Sequence, residues 1–124
     1  MKVLAIVMME VMMANKLYQP ILIHSIKAKT DIVQHRFIGL DGGYCSAGAK
    51  ALGVSDVDIE KEQQLPVAVL GCLLIQAGGT IAVGDSVSSD ENGKAIKTTD
   101  SAIVNGYALD SGSDGDEIRI IRGI

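Results

Sequence analysis

The 124-residue sequence contains no tryptophan, one phenylalanine and three tyrosines. Any core it builds must come from Val, Ile, Leu and Ala. There are two prolines and two cysteines, which excludes a proline-rich linker and a multi-disulfide scaffold. Cys45 and Cys72 lack CxxC spacing, and His24 and His35 show no ligand spacing with them, so there is no zinc signature. Eleven Lys and Arg are scattered among 15 Asp and Glu, giving a net charge of −4. No basic stripe points to nucleic acid. The longest apolar run, residues 65–75, is too short to span a bilayer.

What is present is strand and turn patterning, with 14 glycines as punctuation in a chain of one-domain length. Residues 33–40 predict a strand, and "DGG" at 41–43 predicts a turn, since glycine accepts positive φ. Residues 46–53, "SAGAKALG", predict a loop or a short helical turn, because Gly48 and Gly53 oppose a long helix. Residues 65–75 predict a buried strand, with Gly71 marking a bulge or close approach. In "AGGTIAVGDSV", Ile81 and Val83 or Val87 are core candidates. Residues 85–89 and 94–97 predict a hairpin around "DENG". The closing "GDEIRIIRGI" sets Ile118 and Ile120 against Arg119, Ile121 and Arg122. The fold class expected is all-β: a small barrel or sandwich-like domain with at most a short helix.

Three segments are expected: 1–12, 13–31 and 32–124. Lys2 before Val3–Val7 imitates a signal peptide, but Glu10 interrupts the apolar run and no small-residue cleavage site follows. Residues 1–12 are expected to be a loose tail, or to precede a true start at Met12 or Met13. Residues 13–31 read as an extended arm, since Pro20 excludes helix around it. Ile21 and Ile23 fall on one face, and Leu22, His24 and Ile26 on the other. Apolar groups on both faces call for a second covering surface. The arm is therefore expected to order on a partner through Leu17, Tyr18, Pro20, Ile21 and Ile23.

No constellation carries chemistry convincingly. "GYCSAGAK", residues 43–50, approaches a phosphate-binding loop, but Lys50 comes one residue late and Ala51 replaces the metal-binding hydroxyl. "DSGSDGDE", residues 110–117, has calcium-loop composition, but in register from Asp110 the twelfth position is Ile121, not a bidentate acid. Cys45 has no histidine placed beside it by any motif. The expectation is no catalytic residue, no cofactor and no metal.

Three stretches taken in order, "RFIGLDGGYCSAGAKALGVSDVD", "LPVAVLGCLLIQAGGTIAVGDSVSSDENGKAI" and "VNGYALDSGSDGDEIRIIRGI", resemble the head decoration or capsid cement proteins of tailed phages and prophages. The resemblance covers residues 36–124. It implies a non-enzymatic virion protein that binds the capsid exterior as a homotrimer and staples major capsid subunits. It also implies passage through the host cytoplasm before assembly, and no nucleic-acid, membrane or small-molecule partner. The arm residues above would then contact the capsid or a neighbouring subunit. The rival readings are a small β-barrel binding module of a host cell and, least favoured, an enzyme using Cys45.

Overall fold

A computed structural model describes residues 18–123. Eight strands follow one another: β1 (Gln19–Lys27), β2 (Phe37–Ile38), β3 (Gly53–Ser55), β4 (Gln64–Gln76), β5 (Ser86–Ser89), β6 (Ala95–Lys97), β7 (Gly106–Ala108) and β8 (Glu117–Arg122). There is no helix among the described residues. The strands form one antiparallel sheet in the order β2-β3-β4-β8-β7-β5-β6, with β1 attached to β4 off this path. The sheet is all-β as expected, but it stays open rather than closing into a barrel.

β4 organises everything else. Ala68 pairs with Ile23 of β1 and with Val54 of β3, and Cys72 pairs with Gln19 of β1 and with Ile121 of β8. A strand residue has one neighbour on each side, so β1 runs along one edge of β4, and β3 and β8 follow each other along the opposite edge. Leu65 and Val67 pack into one apolar cluster with Ala28, Ile32 and Ile38. Ala68, Leu73 and Ile75 pack into the other, with Phe37, Val54, Val87, Ile118 and Ile120. The single Phe is central, and the aliphatic residues supply the remainder, as the lack of aromatics requires.

Gly71 lets β1 approach β4 closely. Its φ of 114° is open only to glycine at low cost. A Cβ there would collide with the Gln19 carbonyl oxygen and approach the Ile21 amide to 2.9 Å. The expected close approach is thus the passage of β1 across β4. The hairpin of β5 and β6 also forms as expected, with Ser89 opposite Ala95 and Asp90 capping the turn through Asn92 and Lys94 amides at 2.8 and 2.9 Å.

Two expectations are corrected and two open alternatives are decided. The strand at 33–40 shrinks to Phe37–Ile38. Ser55 Oγ donates to the Val33 carbonyl at 2.8 Å and accepts from the Arg36 amide at 3.1 Å, and His35 sits at φ 63°, so residues 33–36 form a coil. Of the loop or short helical turn expected at residues 46–53, the loop forms, up to Gly53. Ile81 and Val87 are buried, but Val83 is 65% exposed, and the run at 80–83 keeps only a bridge from Ile81 to Gly112. Arg122 points inward with Ile118 and Ile120 and is 2% exposed.

Candidate capsid-contact edge

Residues 19–27 of the expected arm are extended, as their sequence demands, and pair within their own chain. They form β1 and pair along β4 from Gln19↔Cys72 to Lys27↔Gln64. The register shifts between Pro20 and Leu22 and again between Leu22 and Ile23. This irregularity breaks the expected two-face alternation. Ile21 is 82% exposed, and Leu22 and Ile23 are each 47% exposed.

Of the five sequence-proposed contact residues, Pro20, Ile21 and Ile23 lie on this exposed strand, and Leu17 lies outside the described residues. Tyr18 is turned differently: its ring packs against the larger core cluster. Its hydroxyl is buried, with no well-formed hydrogen bond among the described residues and the Asp56 carboxylate as the nearby acceptor. Burial, with the Asp56 carboxylate as a further influence, pushes the phenol pKa well above its usual value. Tyr18 therefore anchors the start of β1 to its own domain. Leu22 was missed by the sequence reading, because the bulge that exposes it leaves no local signal.

The backbone of β1 has one edge in use. Pro66 accepts the Asp56 amide across the β3 side at 3.2 Å, so Leu65 and Val67 face β1. Their partners Ile26 and His24 then face β4. By alternation, the amides and carbonyls of Ile23 and Ser25 point to the outer edge. No strand pairs with that edge among the described residues. Toward the end of β1 the outer edge is closed, where the Lys29 amide donates to the Gly42 carbonyl at 3.1 Å. The flanking charges are neutralised: Lys27 pairs with Glu62 at 3.1 Å and Lys29 with Asp41 at 2.9 Å. The Lys29 hydrogen bond holds the Asp41 carboxyl below its usual pKa.

A second apolar surface lies on the sheet. Ile121 pairs with both Cys72 and Tyr107, and Ile121 and Tyr107 are 44% and 53% exposed. Arg119 forks onto Asp110 at 2.9–3.3 Å beside them.

The chemistry-like motifs are absorbed by structure. The Cys45 thiol is buried and donates to the Ser46 and Ala49 carbonyls, both at 3.4 Å. Burial pushes its pKa up, the opposite of an activated nucleophile. Gly48, in the phosphate-loop lookalike, gives its amide to the Ser89 carbonyl at 3.0 Å. In the acidic loop, Asp110 serves Arg119 and Asp116 accepts the Ser113 amide at 2.9 Å.

An open antiparallel sheet with an apolar, half-used edge strand offers a surface for binding. The chain belongs to the phage cement protein family, whose model matches residues 18–124. The matched region begins at Tyr18 and so includes β1. Its role is that of a capsid-associated structural protein of phage. The fold is similar to the N-terminal base of the head fiber protein gp8.5 of bacteriophage phi29, with a TM-score of 0.68 over 82% of this chain and 93% of that chain. Identity there is 22%, so this likeness is one of fold.

Proposed function

We propose that this protein binds the outer surface of a phage capsid and stabilises it by bridging major capsid subunits, without catalysing a reaction. It does so as a homotrimer on the virion exterior, after synthesis in the host cytoplasm. The observation that carries this reading is the exposed apolar strand β1, with Ile21 at 82% exposure in a chain of the cement family. A large aliphatic side chain left in water on an edge strand calls for a covering surface. Burying one such side chain contributes roughly 1.5–3 kcal/mol. β1 is already ordered on β4, so little conformational entropy remains to be lost on binding. Three copies in a trimer would raise the effective concentration of each further contact.

The experiment is co-sedimentation with expanded heads that lack this protein, followed by heating. Bound protein should raise the temperature at which heads rupture. Protein that stays in the supernatant at micromolar concentration would contradict the proposal and favour a host-cell binding module.

A further inference from the structure

We propose that β1 receives a short extended segment of the capsid protein along its outer edge at Ile23 and Ser25, so that the capsid donates the strand. This rests on the capsid-binding reading above and changes its geometry. An arm expected to add itself to a partner has instead spent one edge on its own β4. Its other edge is what it can offer.

The outward amides and carbonyls of Ile23 and Ser25 require an extended backbone as their complement. The exposed side chains of Ile21, Leu22 and Ile23 supply the apolar contact around it. Edge strands are commonly blunted by a charge or a proline. Here residues 21–26 carry neither an acidic nor a Lys or Arg side chain. Pro20 and the bulge close one end, and the Gly42 loop closes the other. The opening therefore fits a short strand.

The same boundaries disfavour a second copy of this chain. A symmetric pair placing Ile23 of one copy opposite Ser25 of the other would set Lys27 opposite Ile21. Gly42 already occupies the outer edge at that point: a Cβ on it would collide with the Lys27 carbonyl oxygen. Each copy's Gly42 loop would meet the other copy's Ile21. A segment from another protein carries no such loop.

Ser25→Pro removes an outward amide and blocks a strand, while the β4-facing bonds of His24 and Ile26 remain. Wild-type and S25P protein would be titrated against expanded heads lacking the protein, with thermal melts run in parallel. The expected result is an unchanged fold and binding at least tenfold weaker for S25P. In wild type, the Ile23 and Ser25 amides should exchange with deuterium at least tenfold more slowly on heads than free. Full-strength binding by S25P, or unprotected amides on heads, overturns the strand geometry and leaves capsid binding standing. Wild type that does not bind heads overturns both. Protection that appears without heads as protein concentration rises identifies a second copy and overturns the proposal. If S25P fails to fold, the wild-type exchange measurement decides alone.

Discussion

At the scale of single residues, the fold depends on a buried cation held by backbone carbonyls. The Arg122 guanidinium donates to the carbonyls of Ala51, Leu52, Val69 and Asn105, at 2.7 Å for Leu52, 2.8 Å for Val69 and 3.0 Å for Asn105. Burial lowers its pKa, yet the fork fills acceptors that the sheet leaves open. Arg122→Met removes every donor at once, and each orphaned buried carbonyl costs about 1–3 kcal/mol. We expect a loss of at least about 3 kcal/mol in urea denaturation, with Arg122→Lys falling between it and wild type, since an ammonium lacks the planar fork. Gly53 is a second fixed point. A Cβ there would collide with the Ala68 carbonyl oxygen and lie 2.8 Å from Val67 Cγ1. Gly53→Ala should therefore destabilise by about 3 kcal/mol or more, while Gly79→Ala, whose nearest neighbour would be 4.0 Å away, should stay within about 0.5 kcal/mol. Cys45 gives the pH dependence. Its folded pKa is raised by burial, so the folded state keeps a proton that the unfolded thiol loses above about pH 8.5. Its contribution is intact below that pH and declines as pH rises toward the folded value. The drop in stability between pH 7 and pH 10 should be smaller in Cys45→Ala than in wild type. An equal drop in both would show that Cys45 is not the titrating group.

At the scale of elements, β1 separates stability from attachment. Ile21 touches water over most of its surface, so Ile21→Lys should shift stability by no more than about 0.5 kcal/mol. The same change places a charge where an apolar partner must seat, and head binding should fall at least tenfold. A variant that melts normally and binds heads normally would remove β1 from the interface. Part of this was legible in the sequence. Residues 65–75 and the "DENG" hairpin were readable because alternation, β-branching and turn residues act locally. Apolar residues on both faces of the arm called for a second covering surface, though not for the bulge that exposes Leu22. The rest depended on distant partners. The coil at 33–36 exists because the Ser55 hydroxyl, some twenty residues on, competes for its backbone groups. The docking of β1 needed a free β4 edge and a glycine at position 71. Tyr18, expected among the contact residues, packs on the core, and Leu22 is exposed beside a bulge that no residue type announces. Arg122 was set on the face opposite Ile118 and Ile120, since its four acceptors come from three separate stretches of chain.

At the scale of the whole molecule, β8 holds two half-sheets together. On one side it pairs with β4 from Gly71↔Arg122 to Gln76↔Glu117, and on the other with β7 through Tyr107↔Ile121 and Ala108↔Ile120. Without it, β1 to β4 and β5 to β7 share no strand pairing, only the bridge from Ala77 to Ala95 and scattered loop bonds. The larger core cluster would also lose Ile118 and Ile120, both fully buried, and Arg122 would leave its carbonyls open. Two buried isoleucines alone contribute roughly 3–6 kcal/mol, at about 1.5–3 kcal/mol for each such side chain. That is a large share of the roughly 5–15 kcal/mol by which a domain is stable. β8 thus completes the sheet, and the pairings it makes with β4 are distant in sequence, which slows folding. A chain ending at Asp116 should show no cooperative thermal transition and should bind a hydrophobic dye, whereas the full chain should unfold in one step and refold on a millisecond-to-second timescale. A sigmoidal melt from the truncated chain, at a midpoint near that of the full chain, would show that the half-sheets cohere without β8 and that the bolt lies elsewhere.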